Sequence, residues 1–222
     1  MDNFIIYPKG GLCNKLRVIF SCNIHAKKIN KKLIVIWNIH NDCNGYFLDY
    51  FEPVENITFI KYEFYKLRNL YKIYSNIDYI HHATYPIEYN GNMYEGLKLL
   101  PIISNKIKKN IELLENNYVS IHVRNTDLKT NISLNEYCNF IDKYETKNVY
   151  IASDNELSFN YFLEKYNNKI KIKTYYNSNN LRQTTLEDSI IDLYMCINSQ
   201  YFMGTKDSSF TDLIYYLRKN SV

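Results

Sequence analysis

Continuous apolar runs alternate along this chain with segments of helical apolar spacing. Phe4-Ile5-Ile6-Tyr7 reads as a buried strand, Pro8-Lys9-Gly10-Gly11 as a turn, and Leu12 to about Ile29 as an apolar-periodic helix. Leu33-Ile34-Val35-Ile36-Trp37 follows as a second strand, of the uninterrupted kind that parallel sheets bury on both faces. Together these predict a βαβ opening. From Asn38 to Tyr94 the pattern is less regular, with Ile57-Thr58-Phe59-Ile60 and Ile77-Asp78-Tyr79-Ile80 as candidate strands among Tyr-rich helical pieces.

The alternation then becomes clean. Pro101 suits the first turn of a helix that runs to about Glu115, with apolar residues at 102, 103, 107, 111 and 114. The strand Tyr118 to Val123 leads to a helix opened by the capping box Ser133-x-x-Glu136. The strand Asn148 to Ala152 leads to a helix near Glu156 to Tyr166, and Ile170 to Thr174 reads as a further strand. After the polar loop Asn177 to Arg182, Thr184-x-x-Glu187 predicts the cap of a helix ending near Ile197. A strand at Tyr201-Phe202-Met203 and a helix from about Ser208 to Lys219 close the chain. Repeated β-then-α units predict a second parallel α/β domain, so the expected division is 1–112 and 113–222.

Composition supports a globular reading. Of the 222 residues 46% are hydrophobic, and Gly (6) and Pro (4) are too few for a collagenous or linker-like chain. The 23 Tyr read as compositional drift and not as chemistry. Lys plus Arg (27) slightly exceeds Asp plus Glu (23), which suits an anionic small molecule and falls short of a nucleic-acid footprint. The five Cys are odd in number and widely spaced, which suggests neither a disulfide framework nor a metal knuckle and fits a reducing compartment. The amino terminus lacks signal-peptide features, and no apolar stretch nears the roughly 18 residues of a membrane span. The expectation is a cytoplasmic protein in which the sequons at Asn56 and Asn131 are accidental. His81-His82 is a poor metal pair, because adjacent strand residues face opposite ways.

Candidate chemistry sits where strands end. His122-Val123-Arg124-Asn125-Thr126-Asp127 places an imidazole, a guanidinium and a carboxylate at the carboxyl edge of a sheet, where open α/β folds bind ligands. Arg124 supplies a planar fork suited to phosphate, and His122 shares its face of the strand. The plain alternative is an Arg-Asp surface pair. Gly10-Gly11-Leu12-Cys13-Asn14-Lys15 lies at the first strand-to-helix turn; it is either a tight turn or a place where backbone N–H groups meet an anion. Asp154, after the strand ending Ile151-Ala152-Ser153, could accept from a base or ribose or could cap a helix. In Gly204-Thr205-Lys206-Asp207-Ser208-Ser209-Phe210, the serines suit a phosphate at a helix start and Phe210 a stacked cover. A routine Ser cap with a core Phe is the other reading.

In order, Gly-Gly-Leu-x-Asn-x-Leu, His-x-Arg-x-x-Asp, Ala-Ser-Asp and Gly-Thr-x-x-Ser-Ser-Phe resemble the GDP-fucose-dependent fucosyltransferase superfamily, which includes α1,2-, α1,6- and protein O-fucosyltransferases. The resemblance runs from Phe4 to Leu217 and is strongest after residue 118. It implies a GT-B architecture, two Rossmann-like domains with parallel sheets facing a central cleft, the first on the acceptor side and the second binding the nucleotide sugar. It implies an inverting, metal-independent transfer of L-fucose from GDP-fucose to a glycan hydroxyl, with no cofactor beyond the donor substrate. Arg124 and His122 would hold the diphosphate, and Asn14 with the Gly10 and Gly11 backbone would approach the diphosphate-sugar junction. Asp154 would read guanine, and Ser208, Ser209 and Phe210 would close over the nucleotide. No Asp-x-Asp tripeptide occurs, which argues against a metal-dependent GT-A enzyme. Asn125 and Thr126 stand where the family often has Arg and Gly, which motivates two alternatives: another nucleotide sugar, or a catalytically silent binder of nucleotide sugars or glycans. For the general base, Asp42 in the loop after the second strand is the choice, with His40 and Glu95 behind it.

Overall fold

The computed structural model describes residues 3–63, 79–82, 92–124, 132–145, 147–172 and 184–220, with backbone alone for 63 and 79–82. They form two compact units, Met1–Leu100 and Pro101–Val222.

The first unit is built on a four-stranded parallel sheet of order β3-β2-β1-β4. Its strands are β1 (Asn3–Lys9), β2 (Lys32–Ile39), β3 (Ile57–Glu63) and β4 (Tyr79–His82), so the predicted opening and both candidate strands are present. Helix α1 (Leu12–Lys28) buries Leu12, Leu16, Ile19, Phe20 and Ala26, and its last turn carries His25, Lys27 and Lys28, the sign its dipole favours. It stops where Asn30 turns left-handed (φ 53°) and Lys31 N–H reaches back to the Ala26 carbonyl at 2.9 Å. The long loop after β2 is held by rings: Trp37 Nε1 donates to the Gly45 carbonyl at 2.8 Å, and Phe47 stacks on Phe59 at 4.1 Å and on Phe51 at 4.8 Å.

The second unit begins with α2 (Pro101–Leu113), which packs on the helix Leu186–Asn198. Its sheet is parallel, of order β6-β5-β7, with β5 (Tyr118–Val123) between β6 (Asn148–Ser153) and β7 (Tyr201–Gly204). Every residue of β5 is buried, as its apolar run predicts for a central strand. One face, carrying Val119, Ile121, Val123, Val149 and Ile151, packs on α3 (Leu134–Asp142) and α4 (Glu156–Tyr166). The other face is wired by polar groups to α5 (Leu186–Asn198) and α6 (Ser209–Asn220). There Tyr118 Oη donates to the Met195 carbonyl at 2.8 Å, Ser120 and Ser199 hydroxyls lie 2.7 Å apart, and Tyr150 Oη donates to Asp192 at 2.5 Å.

Two local expectations shift. The box Ser133-x-x-Glu136 is present, with Ser133 N–H donating to Glu136 Oε1 at 3.3 Å. The cap of α5 is Thr185, not Thr184: Thr185 Oγ1 accepts the Asp188 N–H at 3.1 Å, while Glu187 pairs with Lys106 of α2. The predicted strand from Ile170 has no ladder over 170–172, where Ile170 plugs the core beneath α4; residues 173–183 lie outside the described set.

Candidate functional site

The register of the second sheet levels His122 with Ala152 on one side and with Gly204 on the other. Residues leaving the three strands, Arg124, Asp154 and Thr205, therefore emerge along one carboxyl edge. Because β6 and β7 flank β5 on opposite sides, this is also where strand order reverses, the usual ligand position of open α/β sheets. The cap of α4 is Asn155, whose Oδ1 accepts the Ser158 N–H at 2.8 Å, so the half-buried Asp154 is not the cap. Asp207 turns left-handed (φ 61°) before α6, and Ser208 follows with its Oγ buried and lacking a hydrogen-bond partner. Ser208 is fully buried, so its hydroxyl keeps unused donor and acceptor capacity at the helix amino terminus without facing solvent. Phe210 is half-buried with its ring 4.6 Å from that of His122, tilted by 34°.

His122 itself is 7% exposed, with Nδ1 2.8 Å from Thr211 Oγ1. Burial, and secondarily the Arg124 charge, lower its pKa to about 3, so the imidazole is neutral. Any contact it makes with a phosphate is a hydrogen bond and not an ion pair, which leaves the positive charge of this edge, among the described residues, to Arg124 and the exposed Lys206.

The first unit assembles its own group. Gly10 takes φ 89°, and a Cβ there would lie 3.3 Å from Asn14 Cβ and Nδ2, so the Asn14 side chain packs over the turn. Gly11 caps α1 through its backbone, its carbonyl accepting Lys15 N–H at 3.0 Å, and a Cβ on it would lie 3.5 Å from the Asp42 carbonyl. Gly10, Gly11, Asn14 and Asp42 are thus neighbours. His40 and Cys43 pair across a tight turn with exposed Asp42 inside it. The Asp42 N–H lies 3.2 Å from His40 Nδ1, and Asp42 Oδ2 lies 3.9 Å from the same nitrogen, so the turn itself engages that side of the ring. Glu95 lies elsewhere, in a depression shared with Phe20, Asn23 and Lys27 in the later turns of α1.

Beneath this turn lies Lys15, a residue the motif reading passed over. It is fully buried; its Nζ donates to the Asn38 carbonyl and sits 4.5 Å from the Trp37 ring centroid. Burial lowers its pKa to about 8, against partial compensation by Cys43 and Asp42. Thr205 and Thr211 were likewise missed as contributors. The signal for Thr211 is indirect: a Cβ on Gly204 would lie 2.5 Å from Thr211 Cγ2, so β7 must end on glycine for α6 to approach.

Asn125, Thr126 and Asp127 lie outside the described residues, as do the side chains of His81 and His82. Among the described residues no cluster of His, Cys, Asp or Glu could hold a metal ion, all five cysteines are free and buried, and no helix is long and apolar enough to cross a membrane.

The two parallel α/β units have the GT-B fold seen in solved structures. The resemblance seen in the sequence holds in two comparisons: residues 130–220 match the family model described as GDP-fucose protein O-fucosyltransferase, and the fold is that of solved fucosyltransferases. The chain is similar to NodZ α-1,6-fucosyltransferase co-crystallised with GDP (14% identity, 97% of this chain and 92% of that one, TM-score 0.68). It is also similar to fucosyltransferase NodZ from Bradyrhizobium (16% identity, 96% and 92%, TM-score 0.66). A third is POFUT1 in complex with GDP-fucose (12% identity, 99% and 95%, TM-score 0.58). No curated protein matches the sequence.

Proposed function

We propose that this protein is an inverting, metal-independent glycosyltransferase that moves L-fucose from GDP-fucose to a glycan hydroxyl. The observation that carries the proposal is the carboxyl edge of the second sheet, where Arg124, Asp154 and the amino terminus of α6 with its orphaned Ser208 Oγ meet in the region that the fucosyltransferase family matches or adjoins. The Arg124 fork holds the diphosphate, the N–H groups and hydroxyls of Ser208 and Ser209 meet its oxygens, Phe210 covers the nucleotide, and Asp154 accepts from guanine. Departure of the diphosphate is the demanding event in glycosyl transfer; a guanidinium and a helix amino terminus stabilise that charge without a metal. Attack on the anomeric carbon from the opposite face inverts it. The first unit carries the acceptor side, with the turn of Gly10, Gly11 and Asn14 beside Asp42 as general base.

Calorimetric titration with GDP, GDP-fucose, GDP-mannose and UDP-sugars tests the donor. GDP and GDP-fucose should bind and UDP-sugars should not; failure of every GDP compound at millimolar levels would sink the proposal. Donor hydrolysis separates an enzyme from a silent binder. For the base, Asp42→Asn should abolish transfer with GDP affinity intact. Unchanged transfer would reject Asp42 and favour proton uptake by the departing diphosphate oxygen.

A further inference from the structure

Arg124 is the first residue beyond β5, where a backbone is ordinarily free to fray. Here it is not. The Thr205 hydroxyl, fully buried at the end of β7, lies 3.0 Å from the His122 carbonyl, 2.9 Å from the Arg124 amide nitrogen and 3.0 Å from Tyr137 Oη of α3. The proton directions follow from the inventory of a hydroxyl, one donor and two lone pairs. An amide N–H can only donate, and a carbonyl can only accept. Thr205 Oγ1 therefore accepts from Arg124 N–H and donates to the His122 carbonyl, and Tyr137 is left as the donor to the second lone pair. The Thr205 N–H donates to the same His122 carbonyl at 3.0 Å, so both lone pairs of that oxygen are also used. The knot is saturated, and it joins β5, β7 and α3 at one point.

We propose that Thr205 is a positioning residue for Arg124: with Tyr137 it fixes the backbone on either side of Val123, so that the guanidinium is launched from one direction onto the diphosphate. This rests on the reading of Arg124 as the phosphate anchor. Three features make the knot more than packing. It grips the carbonyl of His122 and the amide of Arg124, the two residues that bracket the strand exit. Its donors and acceptors admit one proton arrangement. And the close approach that delivers Thr205 to β5 requires Gly204, where a side chain would strike Thr211 and Phe202 within 2.7 Å. An anchor held before the ligand arrives need not give up backbone freedom on binding.

The test is a double-mutant cycle read by GDP calorimetry. Thr205→Val keeps the shape but leaves Arg124 N–H and Tyr137 Oη without an acceptor, and should weaken GDP binding about tenfold. Thr205→Ser retains the hydroxyl and should restore affinity to within about threefold. In an Arg124→Gln background, Thr205→Val should cost less than about twofold, because sites that act through one another are not additive. Tyr137→Phe removes one donor and spares the other two bonds, so it supplies an intermediate loss even if Thr205→Val folds poorly. The same loss in both backgrounds, or no loss in the first, overturns the positioning role and leaves the donor reading intact. Absence of GDP binding by the unaltered protein overturns both.

Discussion

Each unit buries one nitrogen base near the carboxyl edge of its sheet, and the two are handled in opposite ways. His122 is packed between Thr211 and Phe210 with Arg124 nearby; burial and like charge both oppose protonation, and its pKa falls to about 3. Lys15 is as deeply buried but has the Asn38 carbonyl, the face of Trp37, the Cys43 thiol and the Asp42 charge around it, and its pKa stops at about 8. Burial removes charge where neighbours do not offset the lost hydration, and only softens it where acceptors and a ring face do. Among the described residues, the second edge therefore carries its positive charge on the half-buried Arg124 and the exposed Lys206 and not on its imidazole. The first keeps a cation under a glycine turn, where it ties α1 to the end of β2 and adds a fixed field below the turn.

The difference breaks hardest at Arg124. Arg124→Ala should lower turnover by about 10² to 10³, the usual loss of one charge-stabilising donor. Arg124→Lys should not restore it, since a point charge cannot reproduce a bidentate fork. Steady-state kinetics with GDP-fucose decides this, and turnover like that of the unaltered protein in either variant removes Arg124 from the mechanism. Next in size is the acid limb set by His122. Its folded pKa of about 3 lies below the unfolded 6.5, so the unfolded chain binds the extra proton between those values. Stability is then full above pH 6.5 and falls as pH drops toward 3, by about 2 kcal/mol at pH 5. Urea unfolding of the unaltered protein and His122→Asn should give a difference curve with that slope; parallel curves would show that the ring titrates normally.

The sequence announced the strands better than the charges. β1, β2 and β6 carry continuous apolar runs and β5 an apolar run broken by Ser120 and His122, and a parallel sheet buried on both faces needs such runs. Over 170–172 the Ile-Lys-Ile spacing alternates as a strand does, yet no ladder forms there and Ile170 joins the core with Phe159, Phe162 and Tyr166. The cap of α5 is locally ambiguous, since Thr184-x-x-Glu187 and Thr185-x-x-Asp188 both fit; in the fold Thr184 Oγ1 lies 3.2 Å from Ser189 Oγ, Glu187 pairs with Lys106, and Thr185 is left to cap. Likewise Asp154 and Asn155 both suit a cap, and the fold uses the second. Gly10, Gly11 and Asn14 were legible as a turn, and its nearness to Asp42 was not, because the loop between is placed by aromatic packing. The neutrality of His122, the knot at Thr205 and the burial of Lys15 are tertiary facts with no local pattern.

The smallest expected effect tests the other half of the comparison. The folded pKa of Lys15, about 8, lies below the model-peptide 10.5, so between those values the unfolded chain holds the proton more tightly. Stability contributed through Lys15 should rise as pH climbs through this window, by about 1 kcal/mol between pH 7 and pH 9. Buried thiols and phenols work against that rise, since Cys22 and Tyr194 are both pushed up to about 12 and favour the fold only while neutral. The comparison must therefore be between the unaltered protein and Lys15→Met, in which Cys22 and Tyr194 cancel while Cys43, no longer held down by Lys15, is pushed further up and adds to the gap in the same direction. Lys15→Met removes the charge while keeping most of the chain's volume, and leaves the Asn38 carbonyl without its ammonium donor. The gap between the two unfolding free energies should change by at least that amount over the window, with the lysine form gaining as pH rises. A gap independent of pH would mean that Lys15 is hydrated in solution, and the contrast with His122 would then be one of exposure and not of partner chemistry.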